Sequence, residues 1–158
     1  MQLLLIRHAD AGERDAMRWP DDTQRPLTDK GRKRHRRLAR RLRRRGLVPT
    51  LLLASPWLRA WQTAQLTAEQ ARGTAPVACP ALAAPPDLEA LARAAGPQPP
   101  DAIVALVGHE PWLGELAAEL LTGSRAGLRI AFPKSGVLGL ELDGFQPGAA
   151  TLGFFWRR

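Results

Sequence analysis

Short apolar runs mark out the chain. Leu3, Leu4, Leu5 and Ile6 form the first, and residues 50–54 and 102–107 form two more. Each is bulky, brief and nearly uninterrupted, which is how a strand buried on both faces of a parallel sheet reads. Residues 136–142 and 150–156 alternate more loosely and predict two further strands, with Asp143 and Gly144 placed to turn the chain between them. A short strand is expected at 76–79. Between these runs the period changes to that of a helix. Thr28 can cap a helix reaching residue 45, with Asp29 in its first turn and Gly46 just past its end. Further helices are expected at 57–72, 87–95 and 112–121, and Pro56 sits where a helix start tolerates proline.

Strand and helix alternate through residue 121, which predicts an α/β fold, a three-layer α/β/α sandwich around a mostly parallel sheet. The last two strands read as a hairpin, so at least one strand is antiparallel. The 158 residues are expected to form one domain, 1–158, large enough to bury a core of its own. A proline-rich stretch at 80–100 reads as loop around its short helix, with no domain boundary in it. The polar residues 10–26 form a long loop, and a loop of that length in a compact domain is usually functional.

Charge changes the picture in one place. The net charge of +8 suggests a nucleic-acid partner until it is located. Eleven of the 23 Lys and Arg fall in the segment opened by Lys30 and closed by Arg45, which holds no acid. Without that segment twelve basic residues face fifteen acidic ones, so the rest of the chain is near −3. Gly31, His35, Leu38, Ala39 and Leu42 form a narrow apolar stripe along this helix, and every cation lies off it. Two readings follow: a solvated face, or a surface for an acidic partner, with nucleic acid the less favoured form of that partner. His35, on the stripe, is expected to be a packed structural residue. The lone cysteine, Cys79, forms no internal disulfide and fits a reducing cytoplasm. No secretory pattern opens the chain, and no apolar stretch is long enough to span a membrane.

Candidate chemistry gathers where strands end. The first run stops at Arg7-His8, the second leads through Ser55-Pro56 to Arg59, and the third stops at Gly108-His109. A parallel sheet presents its ligands at the carboxyl ends of its strands. Two arginines and two histidines there describe an anion pocket, because the guanidinium fork suits phosphate oxygens. Two fixed cations and no carboxylate cluster argue against a metal. A serine or cysteine nucleophile has no histidine placed for it. One imidazole can attack phosphorus while the other helps neutralise the oxygens.

These residues resemble a known family. Arg7-His8-Ala9 is similar to the Arg-His-Gly signature of the histidine phosphatase, or phosphoglycerate mutase-like, superfamily. Arg25-Pro26-Leu27-Thr28 with Gly31 resembles the segment opening its first long helix. Ser55-Pro56, Arg59-Ala60 and Gln62-Thr63-Ala64 resemble its second-arginine motif, and Val107-Gly108-His109-Glu110-Pro111 its second-histidine motif. The resemblance implies a phosphoglycerate mutase-like fold. It also implies catalysis without metal or cofactor, through a phosphohistidine on His8, with Arg7, Arg59 and His109 binding the phosphoryl group.

Two departures narrow the class. Ala9 replaces the commoner glycine, as in the small bacterial members, and Glu110 stands where those often carry asparagine. The glutamate acid of the mutases has no counterpart between residues 72 and 101; Asp21 and Asp22 are the fallback candidates for that role. Without a strong acid the leaving group should be good by itself, as in a phosphohistidine. Together these features resemble the SixA-type phosphohistidine phosphatases. The expected substrate is therefore a phosphorylated protein in the cytoplasm. The alternatives are a small phosphate ester or nucleotide, or a non-catalytic module binding a phospho-ligand or nucleic acid.

Overall fold

A computed structural model describes residues 1–157. Its elements follow in the order β1 (Gln2–Arg7), α1 (Asp29–Arg44), β2 (Leu51–Ala54), α2 (Leu58–Ala71), β3 (Val77–Ala78), α3 (Leu88–Ala95), β4 (Ile103–Gly108), α4 (Trp112–Thr122), β5 (Val137–Leu142) and β6 (Ala150–Trp156). One six-stranded sheet runs in the order β3-β2-β4-β1-β5-β6. Strands β1 to β4 pair in parallel, and β5 lies antiparallel to both β1 and β6. The expected sandwich with an antiparallel strand is thus the observed one. The short third strand shrinks to two exposed residues at the sheet edge.

Side chains alternate across the central strands, so each apolar run serves two cores. Leu3 and Leu5 of β1, with Val104 and Leu106 of β4, pack with α3 and α4 through Leu91, Leu113 and Leu116. Leu4 and Ile6, with Ala105 and Val107, pack with α1 and α2 through Leu38, Leu42, Ala60 and Ala64. The helices after β1 and β4 therefore leave on opposite faces of two adjacent strands. That makes the crevice at the carboxyl ends of β1 and β4 a switch point, where such sheets bind ligands.

Helix α1 is seated by its first turn. The Thr28 hydroxyl accepts the Gly31 N–H at 3.0 Å, and the Asp10 carbonyl accepts both the N–H and the hydroxyl of Thr28. A Cβ on Gly31 would fall 2.2 Å from the Asp10 carbonyl oxygen. Glycine therefore lets the helix rest directly on the chain two residues beyond His8. The helix ends at Gly46, whose φ of +72° suits glycine.

Candidate active site

The register of the two central strands sets the site. Arg7 pairs with Gly108 across the β1–β4 ladder, and the His8 N–H continues it to the Gly108 carbonyl at 3.0 Å. His8 and His109 consequently leave the sheet side by side, ring centroids 5.2 Å apart. Strand β2 delivers the third group: Ser55 and Pro56 carry the chain into α2, which places Arg59 in its first turn. His8, Arg59 and His109 are all buried. The structure brings together the four residues expected from the strand ends.

The rings are fixed in different ways. His8 Nδ1 lies 2.7 Å from the Ala9 carbonyl. A carbonyl only accepts, so Nδ1 carries the proton and Nε2 keeps its lone pair. His109 Nε2 lies 2.8 Å from the Ser55 hydroxyl, which itself accepts the Trp57 N–H at 3.3 Å. The hydroxyl has its proton to give to Nε2, and in the tautomer that accepts it the ring proton of His109 sits on Nδ1. Burial pushes His8 down to about 3, with Arg59 and Arg7 adding to the effect against the Ala9 hydrogen bond. Burial, reinforced by His8 and the two arginines, pushes His109 down to about 2. Both are neutral at pH 7.

Among the described residues three buried side-chain polar atoms make no hydrogen bond: Arg7 Nε, Arg59 Nε and His109 Nδ1. All three belong to this site; the two arginine nitrogens are donors, and His109 Nδ1 is a third in the tautomer that accepts from Ser55. Leaving a buried donor unpaired costs about 1–3 kcal/mol, so their convergence describes a receptor for an acceptor-rich group. A tetrahedral oxyanion bound beside His8 Nε2 meets that description.

Side chains to which the sequence alone assigns no role in the site hold this arrangement. Trp57 is wedged between the second histidine and the second arginine, 4.5 Å from the His109 ring and with the Arg59 guanidinium 4.7 Å from its own. Its place between Pro56 and Arg59 was the available signal. Thr63 Oγ1 accepts the Ala9 N–H and donates to the Arg59 carbonyl, tying the exit of β1 to α2. Arg7 Nη1 donates to the Phe132 carbonyl at 2.5 Å, and the Phe132 N–H donates to Glu110 at 2.9 Å. No pattern around residue 132 marks that contact. His35, fully buried, bonds Thr67 of α2 and Ser135, and the Ser135 N–H reaches the His8 carbonyl. It supports the site from behind, as a structural histidine should.

The two fallback acids are placed for other work. Asp22 lies beside Arg59, but as an anchor: its carboxylate bonds Arg25 Nε at 2.8 Å and stands 3.4 Å from Arg59 Nη1, which also donates to its carbonyl at 2.8 Å. The Arg25 hydrogen bond holds that carboxyl below its usual range against the opposing effect of burial. An acid held ionised by two guanidiniums is a poor proton donor. Asp21 faces solvent and caps the turn at residues 22–24 by accepting from Thr23. Among the described residues no group of three or more His, Cys, Asp or Glu side chains is arranged to hold a metal.

The comparisons agree with this geometry. The sequence profile of the histidine phosphatase superfamily (branch 1) matches residues 3–83. An uncharacterized protein of Picosynechococcus sp. is 37% identical over 143 residues, which are 89% of this chain and 85% of that one. The chain belongs to the histidine phosphatase superfamily, and it is a phosphatase with a phosphoglycerate mutase-like fold. A structure of the protein histidine phosphatase SixA complexed with tungstate superposes with a TM-score of 0.78 at 28% identity, covering 98% of this chain and 96% of that one. A mycobacterial glucosyl-3-phosphoglycerate phosphatase complexed with VO3 has a TM-score of 0.72 at 17% identity, covering 98% of each chain, a likeness of fold alone.

Proposed function

We propose that the protein hydrolyses phosphohistidine on a phosphorylated protein through a phosphohistidine intermediate on its own His8, in the cytoplasm and without a metal. The observation that carries the reading is the fixed tautomer of His8 beside three unpaired buried nitrogens, two of them on arginines. Its Nε2 lone pair attacks phosphorus as the bond from phosphorus to the leaving group breaks. Arg7, Arg59 and His109 take up the charge on the three equatorial oxygens. A phosphohistidine protonated on its second ring nitrogen departs as neutral imidazole and needs no acid, which suits a site whose nearest aspartate is held as a carboxylate. Water then attacks the phosphoenzyme and its proton passes to a phosphate oxygen. His8, with Nδ1–H still given to Ala9, leaves in turn as neutral imidazole. The single thiol, Cys79, is free and buried, in keeping with the proposed compartment.

The test is hydrolysis of a protein phosphohistidine beside a simple aryl phosphate, by wild type and His8→Ala, with chelator present. The proposal expects release of phosphate by wild type, preference for the phosphohistidine, and loss of both activities with His8→Ala. Cleavage of the aryl phosphate alone would leave the nucleophile standing and replace the substrate by a small ester. Cleavage of neither by folded protein would replace the enzyme by a phospho-ligand binder.

A further inference from the structure

Beside the site, a groove of about 430 Å³ runs along α1. Arg34, Arg37, Arg41 and Arg44 line it from the helix, and Lys134 lines it from the loop before β5. The four arginines recur at intervals of three, four and three residues, so they stand on one face over a length of about 15 Å. Leu38 and Gly31 are the buried helix residues that border them. Arg34, Arg37 and Arg44 are exposed; Arg41 is half-buried, its guanidinium 4.1 Å from the centre of the Trp156 ring.

We infer that this groove docks an acidic segment of the phosphorylated protein whose phosphohistidine the adjacent site takes, an inference that rests on the protein-phosphatase reading above. Three observations carry it. Apart from Arg41, no cation of α1 lies within ion-pairing distance of a carboxylate among the described residues. Like charges at helical spacing cost the helix stability, and carboxylates of a partner relieve that cost. The groove also ends against the chain that leaves the catalytic strand. Its inner end is made by Asp10, Lys134 and Ser135; Lys134 pairs with Asp10 at 2.5 Å, and the Ser135 N–H donates to the His8 carbonyl. The inner end of the groove thus lies two residues beyond the nucleophile in the chain, within reach of other parts of a protein bound at the site. Its length accommodates four or five extended residues at roughly 3.3 Å each.

The charge distribution favours a short acidic segment over nucleic acid. Outside this helix and the phosphoryl site the excess of cations is gone, because the remainder of the chain carries fifteen acidic against twelve basic residues. A long polyanion tracking across the surface meets that negative remainder, whereas a segment of a few glutamates meets the arginines and, at the inner end, a lysine already paired with Asp10.

The experiment uses the full chain and its Arg34→Gln/Arg37→Gln/Arg44→Gln variant, with a thermal melt to confirm folding. The substrates are a phosphohistidine peptide followed by four glutamates, the same peptide with glutamines in their place, and an aryl phosphate. Wild type is expected to favour the glutamate peptide about tenfold in kcat/KM, as three exposed ion pairs acting together allow. The gain should lie in KM, vanish in the triple variant and fade at high salt, while aryl phosphate turnover stays unchanged in the variant. Equal preference in wild type and variant overturns the inference. A fluorescent, unphosphorylated glutamate peptide is titrated in parallel. If neither phosphopeptide is hydrolysed, the substrate reading fails, and this titration decides the groove by itself: binding lost in the variant supports docking, and equal binding overturns it. An oligonucleotide of equal charge that binds more tightly than the peptide at about 0.15 M salt, where exposed charges are screened within roughly 8 Å, also overturns it in favour of a nucleic-acid face.

Discussion

Ser55 is the one hydrogen-bond partner of the His109 ring among the described residues: the Nε2–Oγ contact of 2.8 Å fixes a ring whose other nitrogen is buried and unpaired. Ser55 stands at the end of β2 and His109 at the end of β4, so neighbouring strands set the distance between them. If this bond decides which nitrogen of His109 carries a proton, Ser55→Ala disturbs the donor offered to the phosphoryl group without touching the nucleophile. One neutral hydrogen bond is worth about 0.5–1.5 kcal/mol, so kcat/KM should fall about 3- to 10-fold. Steady-state kinetics with an aryl phosphate read the loss directly. Ser55→Cys, a weaker donor of similar shape, should fall between alanine and wild type.

Asp22 separates an anchor from an acid. Its carboxylate pairs with Arg25 and Arg59, so Asp22→Asn removes charge while leaving the backbone carbonyl that Arg59 Nη1 also uses. A positioning role predicts a rise in KM of about 3- to 10-fold, one charged hydrogen bond partly retained, and the same factor for every leaving group. A proton donor would behave otherwise: kcat would drop steeply for alkyl phosphates and little for aryl phosphates or phosphohistidine. A series of substrates with leaving groups of graded basicity distinguishes the two slopes.

The parts of the fold that follow from local pattern were legible in the chain. The runs ending at Arg7 and Gly108 had to be buried strands, and the stripe from Gly31 to Leu42 had to be the packed face of α1, because period and burial leave little choice. The four strand-end residues were legible for the same reason, since strand ends are where such sheets gather function. What could not be read is what long loops bring back. The Asp22 carbonyl reaches Arg59 across the 8–28 connection, and the Phe132 carbonyl reaches Arg7 over 125 residues. Neither contact has a local signature, since both use backbone groups that every residue possesses. Asp22 was legible as an acidic group near the site; its pairing with Arg25 is local, but the bond from Arg59 that makes it an anchor comes from 37 residues further along the chain.

Glu110 acts on Arg7 through the backbone of Phe132. Its Oε1 accepts the Phe132 N–H at 2.9 Å, and the carbonyl of Phe132 accepts Arg7 Nη1. Burial raises the carboxyl of Glu110, against the opposing effects of the Phe132 N–H and of Arg7. Glu110→Gln keeps an acceptor of the same reach and is expected to hold KM within about twofold. Glu110→Ala frees the loop before β5 from its anchor and should raise both KM and the inhibition constant for inorganic phosphate about 10-fold or more, the worth of one hydrogen bond to a charged group. The phosphate inhibition constant is the sharper readout, because it follows Arg7 and not the chemical step.

The three histidines make acid stability a measurable property of the fold. Burial pushes His8 to about 3, His35 to about 4 and His109 to about 2. Each is depressed below the value near 6.5 that it has when unfolded, so between that pH and its folded value the unfolded chain binds the extra proton. Stability is therefore complete above pH 6.5 and lost as pH falls below it. By pH 5.5 each histidine contributes a loss of about 1.4 kcal/mol, or about 4 kcal/mol for the three together. Asp10 and Asp22, whose carboxyls are held low by Lys134 and Arg25, add their losses only below about 3.8. Glu110, raised by burial, works weakly against the trend just above its ordinary value. Urea unfolding at pH 7.5, 6.5 and 5.5 should show the slope. His35→Gln, away from the phosphoryl site, should reduce it by about one third even if it lowers the starting stability. Saturating inorganic phosphate should flatten it further, because an anion between His8 and His109 favours their charged forms in the folded state. A pH-independent midpoint over this range would mean that the rings are not held neutral, and would remove the basis for His8 as a free nucleophile at neutral pH.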